Sequence, residues 1–486
     1  MKNFLLCLFF SLGVLLFSLT ESQAQWQPDV RLTVDPNVSM TTHNNAWSIA
    51  SSGSVVHVVW YDDRDLNYEI YYKRSTDGGL TWGTDTRLTN AVGDSWRPSI
   101  AVSGPMVHVV WTDVRGGGFG TVFYKRSTDE GLTWQADTVL TNSPDALYPS
   151  VAVSGSLVHV VWRDFRDGNW RIYYKRSADG GASWSPDTRL TNGTVSSLDA
   201  SVAVSDSVVH VVWQDLRDGN WEIYYKRSSD RGENWGTDTR LTTHSAVSDQ
   251  TSIAVSGLLV HVVWRDDRDG NTEIYAKRSA DGGLSWGADI RLTNNTAISR
   301  YPSIATSDSV VHVVWQDDRD GPDGEIYYKG STDAGLSWEA DTRLTNNVGG
   351  SDLPSVAVSG PVVHVVWRDN RDDLNWEVYY KRNPTGNITG ITNIGSEFPE
   401  EFKIEQNYPN PFNPSTIIKY DLPAAGHVTL SVYDVLGREV QKLVNESQAA
   451  GRYKVEFTAT GLASGVYLYR ITVGSFVQTR KLLLLR

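Results

Sequence analysis

The chain has 486 residues, with 57 acidic against 44 basic side chains and a formal net charge of −13 at neutral pH, a balance that disfavours nucleic acid and anionic lipid as partners. Its 19 tryptophans, 22 tyrosines and 41 glycines suit a turn-rich, all-β protein with large aromatic fillers, and the length calls for more than one domain.

The chain opens with Lys2, an apolar run from Phe4 to Leu19 and the small-residue site Ser22-Gln23-Ala24, the pattern of a cleavable signal peptide over residues 1–24. The mature chain is expected to start at Gln25. The only cysteine, Cys7, lies inside the apolar run, too early for a lipoprotein acylation site, so packing alone holds the mature chain. No later run approaches the 18 or so apolar residues of a membrane span.

A repeat then takes over. His-Val-Val-Trp begins at His57, His108, His159, His210, His261, His312 and His364, at intervals of 51 residues and a last one of 52. Each copy reads as a four-stranded meander. In the fifth, Ser252 to Ser256, Leu259 to Trp264, Glu273 to Arg278 and Ile290 to Thr293 are strands, and Asp266 to Asn271 has turn chemistry. Four-stranded units at this period are the signature of a β-propeller, and seven copies predict a seven-bladed one over residues 25–383. The seventh copy ends after Lys381-Arg382 without a fourth strand. Trp26 to Thr33 matches Trp82 to Thr89 at Trp, Asp, Arg, Leu and Thr, so the N-terminal strand is expected to complete the last blade.

Between the third and fourth strands of six copies stands Ser-x-Asp-x-Gly-x-x-Trp, carrying Asp77, Asp129, Asp179, Asp230, Asp281 and Asp333. The pattern resembles the Asp box of bacterial neuraminidase-type (BNR) repeats. The resemblance implies a sialidase-like propeller in which these boxes are folding devices on the face away from the ligand. Physically, the carboxylate can accept backbone N–H bonds across the turn, the glycine takes a conformation others avoid and the tryptophan fills space between sheets.

The seven histidines lie in apolar runs, and facing sheets about 10 Å apart cannot bring them to one metal ion; buried neutral imidazoles bonded to strand or loop groups are expected. After the second strand every copy carries Asp-x-Arg, from Asp62/Arg64 to Asp369/Arg371. Its carboxylates would suit calcium, but an arginine sits among them and the EF-hand spacing is absent. Salt-bridged hairpin tips are the preferred reading, and neither a metal nor a cofactor is assigned.

Two positions at this turn vary. The residue after the tryptophan includes Arg163, Arg265 and Arg368, and the residue after the asparagine includes Trp170, Trp221 and Trp376. The resemblance makes this pole the ligand face. Arginine and tryptophan there suit glycans, by charge-assisted hydrogen bonds and stacking of sugar C–H surfaces; the alternative is that the tryptophans merely cover the hairpin tips. No catalytic residue is assigned. An exo-sialidase-like hydrolase is the second reading, against which stand the absent Phe/Tyr-Arg-Ile-Pro segment and the sevenfold count where the family has six blades. A structural or adhesive surface propeller is the third.

After Thr385 the composition changes. Phe402 to Thr416 with its Tyr408-Pro409-Asn410-Pro411 core, Tyr433-Asp434-Val435-Leu436-Gly437-Arg438, Leu462 to Tyr467 and the closing Lys481 to Arg486 resemble the C-terminal sorting domain of the type IX secretion system. A linker is expected over 384–397 and a small β-sandwich over 398–486. The resemblance implies export across an outer membrane by the type IX machinery, then release or attachment to surface lipopolysaccharide. A monomer with glycans or glycoconjugates as partners is the expectation for the exported chain.

Overall fold

The computed structural model describes residues 26–42, 48–372, 375–385, 392–393, 399, 401–423, 426–448, 451–459 and 462–485. The signal peptide, its cleavage site and Cys7 lie outside these residues, as does most of the expected linker. Among the described residues every regular element is a strand, and no helix is long and apolar enough to cross a membrane.

Each copy of the repeat folds into one antiparallel sheet in chain order. The second copy shows the pattern with Ser95–Ser103, Met106–Asp113, Thr121–Ser127 and Thr138–Val139. In the first copy the innermost strand is in two pieces, Ser39–Met40 and Ile49–Ser52, both paired with Val55–Asp62. The second strand is apolar without alternation because both of its faces are covered: Val107, His108, Val109, Val110 and Trp111 are all fully buried. Burying one such large apolar side chain is worth about 2–3 kcal/mol.

Apolar clusters join each sheet to the next. Val110, Val122 and Tyr124 of the second copy pack with Val151, Val158 and Trp162 of the third. The stacking returns on itself, since Val366, Val378 and Tyr380 of the seventh copy share a cluster with Ile49, Val56 and Trp60 of the first. The first strands of all seven face a common axial channel of about 200 Å³, lined mainly by alanine and valine, among them Ala50, Ala101, Ala203 and Ala357.

Val30–Arg31 supplies the fourth strand of the seventh sheet, Val30 opposite Tyr380 and Arg31 opposite Tyr379. Asp29 takes Arg371 at 2.6 Å and Lys381 at 2.9 Å, as Asp85 takes Arg64 at 2.9 Å and Lys73 at 2.8 Å in the first sheet. Trp26 stands edge-on to Tyr328 at 5.0 Å.

The Asp boxes lock neighbours together. Asp77 Oδ1 accepts hydrogen bonds from the Thr81 amide at 2.9 Å, the Leu80 amide at 3.0 Å and the Ser75 hydroxyl at 2.7 Å, and these donors, Thr81 foremost, hold its carboxyl far below the usual carboxylate range. Trp82 packs edge-on against Tyr380 of the preceding sheet at 4.9 Å. Gly79 is required twice over: its φ is +84°, and a Cβ there would overlap the Tyr380 hydroxyl. The same contact recurs at Gly131 on Tyr72, Gly181 on Tyr124, Gly232 on Tyr174 and Gly283 on Tyr225. Only the fifth copy departs, with Ala276 where the others carry tyrosine, and there the glycine of the sixth box, Gly335, faces His261.

The C-terminal module consists of two four-stranded sheets, one ordered Thr392–Asn393, Gly451–Thr458, Ser415–Leu422, Lys403–Ile404 and the other Glu439–Gln448, Gly426–Tyr433, Gly465–Val473, Phe476–Leu484. Both feed one apolar cluster that includes Ile418, Tyr420, Val428, Leu430, Tyr469 and Leu482. Ser415–Leu422 alternates buried with less buried residues along its length, the pattern of a strand with one face on the core.

Candidate functional site

The two ends of the ring differ in chemistry. At one end the Asp boxes lie beside the hairpins between first and second strands, as the Gly78 amide donating to the Ser54 carbonyl at 2.7 Å shows. At the other, the start of each first strand meets the Asp-x-Arg turn: Ser95 is opposite Asp113.

At this second end the Asp-x-Arg turns are internal braces. Arg64 grips Asp62 through Nε at 2.9 Å and Nη2 at 2.6 Å, reaches Asp85 and lies over the Tyr71 ring at 4.2 Å. Asp62 also accepts from Trp60 Nε1 at 3.2 Å and Ser39 Oγ at 2.7 Å. The arrangement recurs at Asp113/Arg115 and at Asp266/Arg268, so these carboxylates are spent on guanidinium, indole and hydroxyl donors. The histidines are equally internal, but their partner is a side chain rather than a strand or loop group: His57 Nδ1 shares a hydrogen bond with the Tyr72 hydroxyl at 2.7 Å, and five other copies repeat it. Burial, reinforced by Arg74, pulls the His57 imidazole down to about 3, and all seven are lowered by burial to about 3 or 4.

The three arginines singled out by the sequence sit at the mouth of the channel and are not alike. Arg265 is held by both oxygens of Asp249 at 2.6 Å each. Arg368 is held the same way by Asp352, with Nη2 at 2.7 Å, and lies over Trp376 at 4.4 Å. Arg163 makes one bond, to Asp199 at 3.2 Å, and its Nε is buried without a partner. Its guanidinium lies over Tyr148 at 3.7 Å and Trp170 at 4.8 Å. Trp170, Trp221 and Trp376 are half-buried, two of them beneath an arginine.

The sequence reading missed the residues that surround these arginines. In the second to seventh copies the first strand has a bulge two residues before its Ser-Ile/Val-Ala segment, and the bulged residue has a left-handed backbone: Arg97 (φ +55°), Tyr148 (+57°), Asp199 (+51°), Gln250 (+51°), Tyr301 (+55°) and Leu353 (+51°). Non-glycine residues rarely hold such angles, which cluster where a side chain must be aimed. Residues from adjacent copies meet there. Burial lowers Arg97 to about 10, with Tyr61 and Asp199 opposing and Arg163 adding to the fall. Asp249 is pushed up to about 6 by burial against the pull of Arg265, with Asp267 and Asp199 adding. The signal was present: this position differs in nearly every copy while its neighbours repeat.

Comparison with known proteins agrees with the architecture. Residues 13–214 match the model of a BNR repeat-like domain, and residues 406–485 match that of the secretion system C-terminal sorting domain. No curated protein matches the chain significantly. Among solved structures, a polysaccharide lyase, an ulvan lyase bound to -[GlcA(1-4)Rha3S]-, is similar over 73% of this chain and 95% of its own, at 12% identity and a TM-score of 0.51. A second polysaccharide lyase is similar over 74% and 99%, at 11% identity and 0.50. A sialidase of Trypanosoma rangeli is similar over 82% and 85%, at 12% identity and 0.45. At these identities the two lyases attest a shared fold alone. The chain is thus similar to BNR-repeat, sialidase-like propeller proteins, and its C-terminal sorting domain directs it through the type IX secretion system to the cell surface or beyond.

Proposed function

We propose that the seven sheets are the blades of one closed propeller, fastened by the N-terminal strand, and that the exported ring binds glycans without cleaving them at the pole carrying Arg163, Arg265, Arg368, Trp170, Trp221 and Trp376. The sorting module is a small β-sandwich without chemistry of its own. The ring acts as a monomer, on surface lipopolysaccharide or released, and needs no metal.

One observation carries this reading. The body of the ring repeats almost residue for residue, whereas each repeat from the second to the seventh presents a different pair of side chains at the mouth, from Trp96-Arg97 through Leu198-Asp199 to Asp352-Leu353. Packing requires the first; selection for contact with something outside the fold accounts for the second. A saccharide suits the mixture of arginine, tyrosine and tryptophan, and the ulvan lyase of similar fold is itself bound to a saccharide. Against hydrolysis stands the state of the arginines: Arg265 and Arg368 are each consumed by a carboxylate of their own, so no three of them are available to share one substrate group.

A glycan array with and without a calcium chelator, run beside a fluorogenic sialoside assay, tests the reading. Binding without turnover, insensitive to the chelator, is the expected result. Turnover abolished by Arg163→Ala or Arg368→Ala would replace it with the hydrolase, and neither binding nor turnover on a broad panel would leave a structural propeller.

A further inference from the structure

We propose that the mouth contains one anion-binding site, built on Arg97, Tyr148 and Arg163, which takes a single carboxylate or sulfate group of an acidic saccharide. The proposal rests on the reading of this pole as the glycan face and deepens it by naming the ligand class and the stoichiometry.

Arg97 is the anchor. Among the described residues it makes no hydrogen bond or ion pair, and its Nε is buried without a partner. What holds it is aromatic: its guanidinium lies 3.6 Å from the centre of the Tyr148 ring and 4.7 Å from that of Trp96. Arg163 contacts the same Tyr148 ring at 3.7 Å, so one phenol ring carries two cations. Stacking uses the face of a guanidinium and leaves its N–H donors directed outward in its own plane. The whole fork of Arg97, and the part of Arg163's that Asp199 does not engage, are therefore ready to donate to further oxygens.

The nearby charges leave a cation over. Asp199 bonds to Arg163 and lies within electrostatic reach of Arg97, but it does not hydrogen-bond Arg97, and burial disfavours its charged form. Asp249 is committed to Arg265. Three guanidiniums thus face two carboxylates, both disfavoured as anions by burial. An uncompensated buried cation is costly to a fold, and Arg97 moreover occupies a left-handed backbone position; an anion from outside offsets the first cost and gives a use to the second.

The geometry also limits the ligand. Farther along the axis the channel is lined mainly by alanine and valine, whose side chains offer an anion no hydrogen bond, so the charged head is held at the mouth. The residues equivalent to Arg97 in the third to seventh copies are Tyr148, Asp199, Gln250, Tyr301 and Leu353, so among the described residues the site occurs once.

The test is isothermal titration of the mature full-length protein with a glucuronate-terminated oligosaccharide, its carboxyl-reduced neutral form, a sulfated oligosaccharide and inorganic sulfate, with tryptophan fluorescence as a second readout of Trp96. The acidic saccharides are expected to bind one per chain and the neutral form at least tenfold more weakly. Arg97→Gln should weaken acidic binding at least tenfold and Arg97→Lys less, since it keeps the charge but loses the fork; Arg438→Gln, on the sorting module, should change nothing. Equal binding of acidic and neutral forms, several sites per chain, or an Arg97→Gln protein that melts normally and binds as before would overturn the proposal. Neutral-glycan binding untouched by Arg97→Gln would do so while leaving the glycan-binding pole intact. Sulfate binding that depends on Arg97, with no saccharide bound, would uphold the anion site and remove the glycan reading.

Discussion

Six glycines occupy one position of the Asp box, and replacing each with alanine should separate two costs that are usually confounded. At Gly131, φ is +82° and a Cβ would overlap the Tyr72 hydroxyl of the preceding sheet; at Gly335, φ is +77° but the nearest atoms belong to His261 at 3.3 Å, because Ala276 stands where the tyrosine would be. The left-handed backbone costs an alanine about 1–2 kcal/mol at either site, offset in part by about 0.4–1 kcal/mol from the stiffer unfolded chain. Only Gly131 adds overpacking against a fixed ring, about 1–3 kcal/mol. Gly131→Ala should therefore destabilise by about 2 kcal/mol more than Gly335→Ala, read as a lower urea midpoint at unchanged slope. Ala276→Tyr should stabilise by about 1–2 kcal/mol, offering His261 a hydroxyl and Trp338 an edge, and it should turn Gly335→Ala into a substitution as harmful as Gly131→Ala. Equal losses at Gly131 and Gly335, or no coupling between positions 276 and 335, would refute the tyrosine–glycine interlock.

Other outcomes follow from the ring and its tail. Deleting residues 25–34 should lower the melting temperature sharply and promote self-association through the bared Glu377–Asn383 edge, while Asp29→Ala, which strands Arg371 and Lys381, should cost about 1–3 kcal/mol; a melting curve unchanged by the deletion would break the closure model. Because the seven imidazoles are lowered by burial to about 3 or 4 from a free value of about 6.5, unfolding takes up protons below that value. Stability should therefore be full above about pH 6.5 and decline as the pH falls toward 4, which urea midpoints at pH 7.5 and 5 can check; identical midpoints would contradict it. Removing residues 398–486 should retain the propeller in the periplasm, detectable by cell fractionation, and normal surface display would show that export does not need the module.

What could be read in the sequence followed from repetition. The strand order, the box turns and the fourth-strand role of Trp26 to Thr33 were legible because seven copies average out the noise of any one. The fate of the arginines was not. Arg163, Arg265 and Arg368 are equivalent by register, and nothing local says that Asp249 and Asp352, sixteen residues earlier, take two of them while the third shares Asp199 of the next copy. That difference follows the residue opposite each arginine on the first strand, Asp249 and Asp352 for two of them and Leu147 for the third, a pairing set by the register of a bulged strand. A bulge leaves no mark in a hydrophobicity pattern and shows only as variation between copies. The histidine partner was hidden for a similar reason, since the tyrosine lies one strand over, fifteen or sixteen residues on.

The bulge gives the ring a property that few frameworks have. Trp96-Arg97 and its counterparts form an alphabet of two letters per sheet, set on a body whose cohesion depends mainly on other positions: the buried tryptophans, the tyrosine–glycine contacts and the braced turns. Rewriting those pairs, with Asp249 and Asp352 kept for the arginines they neutralise, should change what the mouth recognises with little effect on how the ring holds together, so diversification by duplication and drift could proceed at the rim with the wheel left intact. A combinatorial library confined to these positions would sample recognition almost independently of folding.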